Sequence, residues 1–223
     1  MMPAAGALEG FRLDATARTD LGTYLGRARR LDPDGAVRLA VSGDVLVATV
    51  AVLHPKGLSD PMPLALGMRM VRLLGVRPGD GDVTVPLSGM TDRLARLSRT
   101  GDDWVEIPPQ RSFVVWAGMS PPRSGWEPAG ELEAQVLQAY AEEGVRAVRE
   151  TAGDSLGQAL ADRIRSDVWG RRVEYGLPAG AAFAMSGLGF LPQPAESVKV
   201  LRNGMWLRLS SRTGHVLSRA ETV

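Results

Sequence analysis

Two histidines and no cysteine leave a chain of 223 residues with few groups for acid–base or nucleophilic chemistry. His54 follows an apolar run and precedes Pro55, and Asp60 comes six residues later in loop-like sequence. An imidazole and a carboxylate at a strand end could act as a general acid–base pair, so His54 and Asp60 are the catalytic candidates. Nothing beside them completes a site. Neither Ser42 nor Ser186 has the glycine-flanked strand-to-helix setting of a nucleophile elbow. Lys56 follows a proline and Lys199 lies in a strand pattern, so no Walker loop exists to cradle phosphate. Gly187-Leu188-Gly189 ends an apolar helix, where a dinucleotide fingerprint would open one. No cofactor is expected.

Without cysteine, disulfides, thiolate nucleophiles, zinc fingers and iron–sulfur clusters are excluded together. His215 reads as an edge-strand residue, too distant in sequence from His54 to suggest a shared metal. Asp80, Asp82, Asp102 and Asp103 could hold magnesium, but they fall in turn-like sequence where Asp is expected for its local hydrogen bonding. No metal site is expected.

A binding role has better material. Arg163, Trp169, Arg171, Arg172 and Tyr175, with Arg165, interleave guanidinium and aromatic groups at the end of a helix. Such a set can hold phosphate, stack on a base or anchor a protein interface, and these five residues are the expected partner-binding site. The alternative is a helix end whose arginines pair with Asp162, Asp167 and Glu174 while Trp169 fills the core. Arg202, Arg208 and Arg212, on a terminal hairpin, could touch a nucleic-acid backbone. Arg93, Arg96 and Arg99 form a stripe on one helix, which reads as a solvated face with Asp92 paired to Arg96.

Charge placement decides between partner classes. All but two of the 26 basic residues are arginine, which the codon usage of a GC-rich bacterial genome accounts for. Acidic residues match them in every third of the chain, and the net charge is +1. A dedicated nucleic-acid binder gathers cations on one face, so this evenness disfavours one. The N-terminus has no signal-peptide pattern, its first residues read as loose, and the longest apolar run, Val45–Leu53, is far short of the ~20 residues that span a bilayer. A cytoplasmic protein with no membrane partner is expected.

The elements follow from periodicity and turn chemistry. Leu21, Tyr24, Leu25 and Ala28 mark one helix, stopped by Asp32-Pro33. Ala36–Val41 and Val45–Leu53, joined by Ser42-Gly43-Asp44, read as a β-hairpin whose second arm is covered on both faces. Pro63–Leu74 reads as a third strand, followed by a Gly79-Asp80-Gly81 turn, a strand at Val83–Val85, a helix over Met90–Arg99 and a strand at Trp104–Ile107. Phe113–Trp116 reads as a last strand of this part. Two proline pairs then suggest a boundary: a β-rich α+β region over 1–117, a Pro/Gly-rich linker over 118–130 and a helical region over 131–223. The last holds a helix over Glu131–Glu150, one opened by a Ser155/Gln158 capping box, and an apolar helix over Ala179–Ser186. Val198–Arg202 and Met205–Leu209 form a hairpin through Asn203-Gly204, with a short strand over Gly214–Ser218.

The fold class is therefore α+β, an antiparallel sheet with packed helices in the N-terminal half and three helices plus a hairpin in the C-terminal half. The expected function is non-catalytic binding of a macromolecule, foremost a protein partner or a second copy, because tryptophan, methionine and arginine favour interface cores. The alternatives are a nucleic-acid-associated regulator with a winged-helix-like C-terminal region, and a small-molecule enzyme using His54 and Asp60.

Overall fold

A computed structural model describes residues 8–57, 59–77, 81–100, 102–151 and 157–219. The expected loose N-terminal residues 1–7, the turn residues Gly79 and Asp80, and Ser155 of the capping box lie outside them. The chain divides into two units, Met1–Val50 with Met68–Met119, and Ala51–Gly67 with Ser120–Val223.

In the first unit, β1 (Gly10–Arg12) leads to α1 (Ala15–Leu31), where Asp14 caps the helix by accepting from the Ala17 amide at 2.7 Å. Leu21, Tyr24, Leu25 and Ala28 are the buried stripe, and Arg29 and Arg30 sit in the last turn, where cations complement the helix dipole. β2 (Ala36–Ser42) and β3 (Val45–Leu53) form the expected hairpin with Val37 opposite Val50, and Gly43 supplies the positive φ of +60° at the turn. β4 (Ala65–Arg72), β5 (Gly75–Arg77), β6 (Asp82–Pro86), α2 (Leu87–Thr100) and β7 (Trp104–Glu106) follow. β6, β2, β3 and β4 are neighbours in that order, and β5, β1 and β7 make a separate three-stranded sheet. Phe113–Trp116 is not a strand. Val115–Gly118 is a 3₁₀ turn, and only the Ser112 amide reaches β6, at the Thr84 carbonyl. Pro108 and Pro109 lack the amides that would start a ladder there.

In the second unit, residues 127–130, read as linker sequence, are already part of strand β8 (Glu127–Glu133). A register shift between Pro128 and Gly130 lets the strand accommodate its proline. α3 (Ala134–Thr151), α4 (Gln158–Gly170) and α5 (Ala179–Gly187) precede β9 (Ser197–Asn203), β10 (Trp206–Ser210) and β11 (His215–Arg219). β8, β9, β10 and β11 are consecutive neighbours, antiparallel at each junction, and Gly204 makes the β9–β10 turn at φ +53°. α5 is buried nearly all round, as its composition predicts.

The molecule is thus α+β, with five α-helices and antiparallel sheets among the described residues. It is not a winged helix. The third helix of the C-terminal set is internal, and the hairpin that would be a wing is held between β8 and β11. Among the described residues, no helix is long and apolar enough to cross a membrane.

Candidate binding surface

His54 stands near enough to Asp60 for its charge to act on the carboxyl, but both carboxylate oxygens are engaged by their own loop. Asp60 Oδ2 accepts the Lys56 amide at 2.7 Å and Oδ1 accepts the Met62 amide at 2.9 Å, so the carboxylate organises its own loop. The Lys56 amide bond, against a smaller opposing effect of burial and with help from the Met62 amide, holds the Asp60 carboxyl below its ordinary range and makes it a weaker base. His54 Nδ1 lies 3.1 Å from the Pro55 carbonyl. Among the described residues, no three His, Asp or Glu side chains cluster as metal ligands.

The arginine–aromatic set separates by depth. Trp169 is core: it is 4% exposed, stacks on Phe183 at 4.4 Å between ring centroids, and lies where a Cβ on Gly144 would come within 2.3 Å of it. It therefore supports the surface and offers no contact of its own. Arg171 forms a bidentate pair with Glu143 at 2.8 and 3.0 Å, which holds the glutamate's pKa below its usual range. Arg172 donates to the carbonyls of Gly176 and Arg219, and Arg163 is exposed on α4. Tyr175 adopts φ +57°, the left-handed region that glycine favours. Its ring sits where a side chain on Gly130 would be, its hydroxyl donates to the Glu131 carbonyl at 3.3 Å, and its own carbonyl accepts from Arg202 at 3.1 Å. Arg171, Arg172 and Tyr175 thus form an ordered polar knuckle with most of its hydrogen-bonding groups engaged within the unit.

The hairpin arginines do not converge on one surface. Arg202 is tied to Tyr175, Arg212 pairs with Glu196 at 3.3 Å, and the Arg208 guanidinium lies over the Trp126 ring at 4.6 Å.

A surface absent from the sequence reading stands out in the first unit. Phe113 is 97% exposed and Val115 76% exposed, yet the segment carrying them is fixed. The Ser112 amide bonds Thr84, the Arg111 guanidinium bonds the Pro108 carbonyl, and Trp116 is buried. Arg38 grips Asp82 through Nε at 2.9 and 3.0 Å and donates from Nη1 to the Ala117 carbonyl at 2.9 Å, tying the segment to β2 and β6. Because Val114 is extended, Phe113 and Val115 project to one side. They border a hollow of about 600 Å³ lined also by Asp82, Thr84 and Ser112. The apolar residues at 113–116 predict a strand, and only the paired prolines before them signal that they stay outside the sheet.

The fold is similar to that of bacterial sliding clamps. A Pseudomonas aeruginosa DNA polymerase sliding clamp aligns with 96% of this chain and 65% of its own, at TM-score 0.53 and 13% identity. DNA polymerase III subunit beta from Borrelia burgdorferi aligns with 96% and 64%, at 0.51 and 8% identity. The Helicobacter pylori beta clamp aligns with 97% and 64%, at 0.51 and 10% identity. This chain therefore spans just under two thirds of their length, and identities this low speak for fold alone. By sequence, residues 10–116 match a family described as a domain of unknown function, DUF8010, and residues 121–223 match another, DUF8185. No curated protein matches the chain. Within this clamp-like fold a second hollow, about 610 Å³, lies between α3 and α5 beside Gln138, Val145, Arg146 and Phe183.

Proposed function

We propose that this protein acts without catalysis, by binding another protein through the Phe113–Val115 segment. The observation that carries the reading is the near-complete exposure of Phe113 on an anchored segment. Burying such a ring contributes about 1.5–3 kcal/mol, and a segment already held in place loses little further freedom on binding. The polar knuckle of Arg171, Arg172 and Tyr175, with Arg163 on α4, is a second contact in the same reading. The similar structures are named as sliding clamps and as a polymerase subunit, components that work by association, which supports a binding role and a cytoplasmic setting. The adjoining family matches, over 10–116 and 121–223, support treating the chain as two modules that meet near residues 117–120.

The polymerase names also favour a second reading, association with nucleic acid. The hairpin arginines lend it little, since Arg202 and Arg212 are engaged within the chain.

The test is to isolate the tagged protein from its own host after nuclease treatment, beside Phe113→Ser. A stoichiometric protein partner that the substitution removes is the expected result. A nuclease-sensitive association unaffected by the substitution, or a retained small molecule with no partner, overturns it.

A further inference from the structure

In the second unit, Trp206 lies opposite Arg219 and Arg208 opposite Leu217, which puts all four side chains on one face of the β9–β11 ladder. Arg208 and Arg219 are diagonal neighbours there, roughly 7–8 Å apart at the backbone. Each guanidinium lies against an indole, Arg208 over Trp126 at 4.6 Å and Arg219 over Trp206 at 5.3 Å.

Among the described residues, neither guanidinium has a carboxylate partner. Arg38 and Arg69, half-buried like Arg208, hold Asp82 and Asp20. Arg208 Nε, in contrast, is sealed from water with no acceptor among the described residues. Stacking on an indole covers the flat face of a guanidinium and leaves its in-plane N–H groups directed outward, in the fork that matches a carboxylate. Burial alone pushes the Arg208 pKa down, as expected for a cation lacking a counter-charge.

The neighbouring charges select the ligand. Glu131 of β8 stands opposite Lys199 and offsets that cation, and Glu133, opposite Ser197, lies on the same face as Arg208. A phosphodiester strand, charged at every nucleotide, would run past these carboxylates, whereas a short acidic segment needs only the two arginines.

We propose that Arg208 and Arg219 form a carboxylate-binding pair that takes a short acidic peptide segment of a partner protein. This site is separate from the Phe113 segment and does not depend on it.

Fluorescence anisotropy with a fluorescein-labelled acetyl-hexaglutamate peptide at low salt tests the proposal on the full chain. The peptide is expected to bind, and each of Arg208→Gln and Arg219→Gln to weaken it about tenfold or more. Arg208→Lys, which keeps the charge and loses the fork, is expected to rescue only partly. Arg99→Gln, exposed in the last turn of α2 in the first unit, leaves binding unchanged. Should Arg208→Gln not fold, Arg219→Gln decides, because that side chain is exposed. Absence of binding up to about 1 mM, equal binding by the double variant, or tighter binding of oligothymidylate through the same two arginines overturns the proposal.

Discussion

The guanidinium of Arg208 lies 4.6 Å above the indole of Trp126, and its Nε is buried without an acceptor. The same pairing recurs in Arg219 over Trp206 and, in the first unit, in Arg77 over Trp104 at 3.8 Å. Trp116 and Trp169 are buried. The tryptophans that suggested an interface by composition are therefore spent within the fold, capped by arginine or packed in a core. Among the described residues, the most exposed aromatic is Phe113.

Phe113→Ser should leave stability nearly unchanged, within about 0.5 kcal/mol, because the ring makes almost no contact to lose. Trp116→Ala, three residues on and buried, should lose about 3–5 kcal/mol. Urea unfolding midpoints of the two variants measure the contrast.

Gly144→Ala should destabilise by about 1–3 kcal/mol, since the new methyl group would lie 2.3 Å from the Trp169 ring, which is pinned against Phe183. Gly180→Ala meets the end of Leu53 at 2.5 Å, and a leucine tip can rotate aside. The smaller loss is expected there, read from thermal midpoints.

Tyr24 is 3% exposed, and burial, outweighing an amide bond from Val50 and the charge of Arg69, pushes its phenol far above the usual value of about 10. Above about pH 10 the unfolded chain ionises this group while the folded chain keeps it neutral. Its contribution is whole below that pH and declines as pH rises. Tyr24→Phe should flatten the alkaline loss of stability, at the expense of about 1 kcal/mol at neutral pH from lost hydrogen bonds. Denaturant midpoints from pH 7 to pH 11 decide.

Asp60 titrates in the opposite sense. Its pKa is lowered chiefly by the Lys56 amide, so its contribution is present above the ordinary carboxylate value of about 4 and is lost as pH falls through the depressed folded value. Asp60→Asn should remove this part of the acid sensitivity, seen as a shallower fall in stability below about pH 4. Unchanged acid sensitivity would show that the loop around residues 56–62 does not depend on that carboxylate.

Much of the backbone was legible in the chain. The stripe from Leu21 through Ala28 and the Asp32-Pro33 stop defined α1, Asn203-Gly204 marked the β9–β10 turn, and the uniform apolarity of Ala179–Met185 announced a buried helix. These are local signals, set by backbone geometry and hydrophobic period within a few residues. Where local signals conflicted, the reading failed. Phe113–Trp116 has strand-forming letters but lies outside the ladder, and Glu127–Gly130 has linker letters but belongs to β8, since pairing depends on which edge a distant strand presents.

The candidate sites divide the same way. Sequence alone determined that thiolate and cysteine-ligand chemistry is absent, that charge is evenly spread and that the architecture is α+β, because residue inventory and periodicity survive any folding. Only the tertiary structure decided that Trp169 is core, that Asp60 serves its own loop, that Phe113 faces solvent and that Arg208 stands beside Arg219 with no carboxylate partner among the described residues. Exposure and pairing are properties of neighbours brought together across long stretches of chain, and a one-dimensional pattern does not specify which neighbours those are.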